Sequence, residues 1–278
     1  MKRPEARDAQ AKALDARLRA FALEHGIPPS RARRWVSYMA FGSALARASQ
    51  DTEDIFTIKG GVALELRMGS IARATRDIDV IVDGATTELI RSFERVLTHA
   101  YEGFGFARRG APHVMRNDIV RVDVAITYYG APWATIQVDL SATEGGITEV
   151  EFVDVLPVAM LALTAPGQIP CLSLRYQIAQ KLHALTAPVP EGRSNDRFRD
   201  LVDLLLLMPL LEDLTCVRTA CVEVFATRAT HAWPPQLVAW PEWKAPFAEL
   251  ARETNLAITD IAMAIAEVEG FIGKVDQS

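Results

Sequence analysis

The sequence predicts an α+β protein, with a small mixed sheet and flanking helices, a helical segment before it and a mostly helical region after it. Three observations carry this reading. Apolar residues recur at helical spacing through residues 6–25 and again after residue 166. Strict apolar–polar alternation is confined to short runs between about residue 55 and residue 160. Turn signals, Asp83-Gly84 and Gly130-Ala131-Pro132, fall at the ends of those runs. The divisions expected are a helical N-terminal segment at 1–50, an α/β core at 51–165 and a helical C-terminal domain at 166–278.

In order, residues 6–25 place Leu14, Leu18, Phe21 and Leu23 at helical spacing, and Gly26 with Pro28-Pro29 ends that helix. Ser30 can N-cap a second helix running through Trp35 and Met39 to Ala48. IFTIKGG reads as a strand, VALELRMG as a helix and RDIDVIVDG as a strand. TTELIRSFERVLTHA reads as a helix capped by Thr86 or Thr87. IVRVDVAITYYG and WATIQVDLSA alternate on either side of a turn and form an antiparallel pair. LSLRYQIAQKLHAL has Leu174, Ile178, Leu182 and Leu185 on one face, which leaves Lys181 at the rim. A polar loop, APVPEGRSNDR, leads to RDLVDLLLLMPLLEDL. Two or three further helices follow, interrupted by a stretch in which Trp233, Trp240 and Trp243 stand beside prolines as packing anchors. His183 reads as a packed histidine, and His113 and His231 lie near loops without partner spacing.

Composition narrows the classes. The chain has 278 residues, half of them hydrophobic, with a net charge of −5, which argues against a general nucleic-acid binder. The first 50 residues nevertheless hold ten Lys and Arg against four Asp and Glu, leaving −11 on the rest. Arg31, Arg33 and Arg34 beside Trp35 could grip RNA phosphate or form a solvated helix face. No apolar run is long enough to span a membrane, and the charged start MKRPEARDAQ lacks the apolar stretch of a secretory signal. Cys171, Cys216 and Cys221 show neither metal-ligand spacing nor a disulfide framework, so a cytoplasmic protein with buried thiols is expected.

The chemistry-bearing residues centre on Asp77 and Asp79. Residues two apart on a strand share a face about 6–7 Å apart, so these carboxylates repel unless a cation lies between them. Hard oxygen donors in that arrangement suit Mg²⁺ completed by substrate phosphates. Solvated acids at a strand end are the ordinary alternative. Upstream, a strand ends in Lys59-Gly60-Gly61 and a helix begins at once, a backbone cradle for phosphate with Lys59 as a point charge, or simply a tight turn. Strand, Gly-Gly, helix, then strand with D-x-D is the layout of the polymerase-beta-like nucleotidyltransferase fold, which needs a third carboxylate on a neighbouring strand. Asp139 and Asp123 are both lone acids on the polar face of an alternating strand, and pattern does not choose between them. Farther on, Asp196, Asp200 and Asp203 fall on one helix face, with Arg199 and Asp203 at i,i+4 spacing.

Five blocks in order, KGGVALELRMG, RATRDIDVIV, IQVDLS, AQKLHAL and RFRDLVDL, resemble the AbiEii family of nucleotidyltransferase toxins of toxin–antitoxin and abortive-infection systems. The resemblance runs from about residue 55 to residue 207. It implies a nucleotidyltransferase core with a helical C-terminal region, an NTP substrate, Mg²⁺, a cognate antitoxin, and transfer of nucleotides to the 3′ acceptor end of tRNA, which inhibits translation. It implies Gly60 and Gly61 in nucleotide binding, Asp77 and Asp79 as the metal pair and Asp139 as the third metal ligand. It further implies Lys181 and Arg197 as nucleotide-binding cations, Lys181 being catalytic as well, and Asp200 as a catalytic carboxylate that positions a cation or assists as a base, with Asp203 ending that block. Val62 stands where the family often has Thr, Val202 where an aromatic is frequent, and the loop between Lys181 and Arg197 is long. A protein or small-molecule acceptor such as an antibiotic, and a non-catalytic nucleotide-binding partner protein, are the alternatives to a tRNA acceptor.

Overall fold

The computed structural model describes residues 4–51, 54–82, 86–115, 118–145, 147, 149–155, 161–164, 167–189 and 195–278. Asp83-Gly84, read as a turn, and part of the loop before Asn195 lie outside them, as do the side chains of Thr86 and Thr87. The chain divides into two compact units. The first comprises residues 1–70 and 74–172, and the second residues 71–73 and 173–278.

In the first unit, helices α1 (Pro4–Glu24) and α2 (Pro29–Asp51) precede β1 (Thr57–Lys59), α3 (Gly60–Met68), β2 (Asp77–Ile81), α4 (Thr86–Val96), β3 (Phe104–Val114), β4 (Val120–Tyr128), β5 (Ala131–Ser141), β6 (Val150–Asp154) and β7 (Gln168–Leu172). The strands form one seven-stranded mixed sheet in the order β3-β4-β5-β2-β1-β7-β6. The two N-terminal helices belong with this sheet. Leu14, Leu18 and almost every residue of α2 from Trp35 to Leu45 are buried in its core. Gly26, at φ 63°, closes α1, and Pro29 opens α2 with its ring already in helical geometry. Ser30 therefore lies inside the first turn of α2 and is not its N-cap.

Strands β4 and β5 form the antiparallel hairpin the alternation predicts. Its turn is Tyr129-Gly130, both at positive φ, so Ala131 and Pro132 already belong to β5. Three strands have no clear sequence signal. Strand β3 carries Gly, Pro and three basic residues and has an irregular register between Arg109 and His113; its exposed, charged residues suit a sheet edge. Strands β6 and β7 are five residues long, and β7 contains Pro170.

The second unit holds α5 (Leu174–Thr186), α6 (Phe198–Leu207), α7 (Leu214–Arg228), α8 (Lys244–Glu253) and α9 (Ile261–Gln277). Helix α5 packs on α6 and α7, and α6 also meets α8 and α9. Trp243 is fully buried and donates from its indole N–H to the Asn195 carbonyl at 2.5 Å, the anchor its setting predicts. Of the cysteines, Cys171 and Cys221 are buried, but Cys216 is exposed and donates to Asp213, correcting the expectation of three buried thiols. Among the described residues, no helix is long and apolar enough to cross a membrane.

Candidate active site

The sheet register brings the sequence-predicted residues of the first unit into one row. Lys59 on β1 pairs with Asp79 on β2, Asp79 with Asp139 on β5, and Asp139 with Arg121 on β4. Directly paired residues share a face, so the row reads Lys–Asp–Asp–Arg across four neighbouring strands. The next row on that face places Asp77 opposite Gln137, and Gln137 opposite Asp123. The alternation makes this possible. Ile78, Val80, Val122, Val138 and Leu140 point into the core, while Asp77, Asp79, Arg121 and Asp139 are half-buried on the other face.

The glycine pair joins this face. Gly60 opens α3 at φ 68°, a conformation that costs an ordinary residue about 1–2 kcal/mol. A Cβ there would lie 2.5 Å from Asp79 Oδ2. A Cβ on Gly61 would lie 2.8 Å from Thr75 Oγ1. The backbone thus runs against the carboxylate and hydroxyl at distances only glycine allows. Gly60→Ala is expected to lower stability by about 1–2 kcal/mol in urea denaturation. It should also displace the Asp79 carboxylate, with a fall in catalytic rate larger than the stability loss accounts for.

Asp139 is paired with an arginine of the neighbouring strand. Arg121 donates from Nε and Nη2 to its two carboxylate oxygens, both at 2.7 Å. Those hydrogen bonds, then the fields of Asp139, Asp77 and Asp79, hold the guanidinium more firmly protonated despite the opposing effect of burial. Asp123, the other candidate, is exposed one row away and accepts from Gln137 at 3.4 Å.

The second unit carries its own charged network. Lys181 lies buried on α5, not at the rim, and its ammonium donates to Asp203 Oδ2 at 2.5 Å and Asp200 Oδ1 at 3.2 Å. Arg73 donates to both oxygens of Asp203 at 2.8 and 2.9 Å, and Arg197 donates to Asp200 at 3.2 Å. Burial pulls the Lys181 pKa down, but Asp203 and Asp200 outweigh it, so the net shift is upward. Burial likewise pushes Asp200 up, and Lys181 and Arg197 reverse this to a net lowering. Asp196 does not join the other two acids. Helix α6 starts only at Phe198, and Asp196 is exposed beside Arg199 at 3.9 Å. Arg199 pairs there and not with Asp203, against the i,i+4 expectation.

The shifts fix the pH dependence of this network. A depressed Asp200 contributes stability that is complete above the ordinary carboxylate value of about 3.9 and is lost as pH falls through its lower folded value. A raised Lys181 contributes stability that is complete below about 10.4 and is lost as pH rises through its higher folded value. Urea midpoints measured across pH should therefore fall at both extremes, with the alkaline fall reduced in Lys181→Met.

The family model for the nucleotidyl transferase AbiEii toxin of type IV toxin–antitoxin systems matches residues 43–269. The chain belongs to the AbiEii family. It is a nucleotidyltransferase toxin, which implies an NTP substrate and an antitoxin as counterpart. Its fold is also that of MenT4, a nucleotidyltransferase toxin from Mycobacterium tuberculosis H37Rv. That structure is 19% identical, with 94% of this chain and 98% of that one covered and a TM-score of 0.54. JHP933 from Helicobacter pylori is 14% identical over 92% of each chain, with a TM-score of 0.44. No curated protein matches the chain.

In this AbiEii-family toxin, Asp77 and Asp79 fit a divalent metal ion. They offer hard oxygen donors on one half-buried face, next to a glycine pair whose backbone closely approaches the Asp79 carboxylate and the Thr75 hydroxyl. Asp139 lies on the same face, with each of its oxygens accepting one hydrogen bond from Arg121. Among the described residues, no group of three or more His, Cys, Asp or Glu side chains is set to hold a metal. Two residues escaped the sequence reading, Arg121 and Arg73. Arg121 is signalled by its place two residues before Asp123 on the polar face of an alternating strand. Arg73 is signalled only by the need of two buried acids for cations. Arg76, unassigned from sequence, is exposed. Of the N-terminal arginines, Arg33 stacks 4.0 Å over Trp133 and bonds Asp15 at 2.7 Å, so it holds α1 and α2 to the sheet. His183 is packed as expected, against Phe225 and His231, with Thr230 Oγ1 2.9 Å from its Nε2. His231 is thus part of a cluster that sequence spacing does not show.

Proposed function

We propose that this toxin transfers nucleotides from NTP to the 3′ acceptor end of tRNA with Mg²⁺ held by Asp77 and Asp79, inhibiting translation. The observation that carries the reading is the Asp77–Asp79 pair on one sheet face, with Gly60 seated against the Asp79 carboxylate. When bound, the metal would neutralise triphosphate charge and lower the pKa of an attacking hydroxyl. The chain's own residues do the rest. Gly60 and Gly61 present backbone N–H groups at the start of α3, where the helix dipole favours phosphate, and Lys59 adds a point charge beside them. Within the helical unit, Lys181 and Arg197 are two cations held by one acid. Asp200 sets the position of both, accepting from each at 3.2 Å. Its lowered pKa keeps it an anion, which suits holding cations more than relaying protons.

The test is incubation of the purified chain with each labelled NTP, Mg²⁺ and total tRNA. Label is expected in the tRNA fraction and to be lost after removal of the 3′-terminal nucleotide. Label appearing only in protein or in an added aminoglycoside would move the acceptor class. No label with any NTP and any acceptor would overturn the reading.

A further inference from the structure

The polar sheet face that carries the aspartates continues past them to an edge strand with two exposed basic side chains. On β3, Arg109 pairs with Asp123 of β4, and His113 pairs with Arg121. One row then runs Asp77–Gln137–Asp123–Arg109 and the other Asp79–Asp139–Arg121–His113. The register shifts between Arg109 and His113, where Gly110 takes a left-handed backbone at φ 79°. That irregularity sets the two basic residues opposite partners only two apart on β4, about 6–7 Å, where four regular strand residues would separate them by about 13 Å. Both side chains are exposed, and neither makes a hydrogen bond or ion pair among the described residues. Arg108, between Ala107 and Arg109, belongs to the opposite face, opposite Val124, and is paired with Glu94. The next row on the polar face, Ala107–Ala125–Thr135, is low and exposed or half-buried.

We propose that this strip is the track of the acceptor RNA, with Arg109 and His113 holding phosphates a few nucleotides back from the reacting 3′ end. This rests on the reading of the chain as a tRNA-directed transferase with its metal at Asp77 and Asp79. Strand β3 lies three strand spacings from β2, about 14 Å across the sheet. A stacked nucleic-acid strand advances about 3.4 Å per nucleotide, so that distance spans about four nucleotides. A phosphate gripped at the edge fixes the path of the strand while its end reaches the aspartates. The Arg109 guanidinium suits this task, being always charged and presenting planar donors matched to phosphate oxygens. The residues of the strip offer no aromatic ring on which a base could stack, so the contacts fall on phosphate and ribose, which position a strand without reading its sequence. Asp123, exposed in the same row, opposes the strand and gives the test an arm of opposite sign.

The experiment uses the full chain, an RNA hairpin with a single-stranded 3′ tail followed by fluorescence anisotropy across salt concentrations, and the tRNA-labelling assay. Arg109→Gln should weaken hairpin binding about fivefold and raise the KM for RNA alike, with kcat and the KM for NTP within about twofold. Its salt dependence should become shallower by about 0.7 in log–log slope, while Arg109→Lys keeps the parent slope. Arg108→Gln removes the same charge from the other face and should leave RNA binding within about twofold. Asp123→Asn should tighten RNA binding about twofold, a gain that misfolding cannot imitate. The proposal is overturned if Arg109→Gln leaves RNA binding unchanged, or if Arg108→Gln weakens it as much. Weakened binding of a polyglutamate probe by Arg109→Gln, with RNA binding intact, would make the strip a dock for an acidic protein segment and overturn it too. A parent chain that neither binds the hairpin nor labels tRNA ends the tRNA reading and the track with it, whereas labelling by the parent with no effect of Arg109→Gln ends the track alone.

Discussion

Asp77→Asn is expected to lower nucleotide transfer by about 10²–10³-fold or more while leaving the chain folded. Asn keeps the size of Asp and its hydrogen-bonding oxygen but loses the charge that a divalent cation requires. Asp77 is half-buried on the polar face of β2, so the substitution disturbs no core packing. It also removes one of three neighbouring negative charges on that face, so stability should hold or rise slightly. Circular dichroism and urea midpoints report the fold, and the tRNA-labelling assay reports the rate. A rate within a few-fold of the parent would show that Asp77 holds no metal and that the chemistry lies elsewhere on the chain.

Asp203→Ala is expected to cost about 3–5 kcal/mol of stability, a large effect for a single substitution. The Asp203 side chain is wholly buried and accepts from both Arg73 and Lys181. Removing it leaves two cations in a low-dielectric setting, one of them, Lys181, only 8% exposed, with Asp200 as the remaining acid. The unpaired charge is what destabilises, more than the loss of attraction. Asp203→Asn should fall between parent and Ala, since it can still accept one hydrogen bond. Urea denaturation of the full chain measures both. A cost below about 1 kcal/mol for Asp203→Ala would mean the network is solvated and contributes no more than an exposed ion pair does.

Both substitutions fall on residues that stand out by pattern in the sequence, and the contrast between them shows how far pattern reaches. Period-two alternation placed Asp77, Asp79, Asp123 and Asp139 on the polar faces of their strands, because one face of each strand had to supply the core. The Gly-Gly pair at a strand-to-helix junction marked a close approach, because a Cβ would meet Asp79 and Thr75. Lys181 was legible as a residue type and not as an environment. Helical periodicity put it at the rim of α5, whereas its burial comes from two carboxylates brought to it by α6 and a guanidinium brought by residue 73. Strands β3, β6 and β7 were missed for a related reason. Their stability comes from sheet neighbours, and a five-residue strand with a proline carries too little local preference to announce itself.

By itself, the sequence determined the α+β class and the acids and glycines proposed for the site, and its resemblance to the AbiEii family supplied the nucleotidyltransferase core with its helical continuation. The class and the candidate residues depend on local periodicity and on residue types whose chemistry travels with them. Only the tertiary structure decided which charges meet. Strand register set Asp139 against Arg121, and the return of residues 71–73 to the helical unit set Arg73 against Asp203. Each pairing joins residues 18 or 130 positions apart, and no local pattern encodes a contact at that separation. The physical reason is electrostatic. A carboxylate on a half-buried face takes whichever cation the fold brings nearest, and that choice is made by packing after the periodicity of each segment has been satisfied.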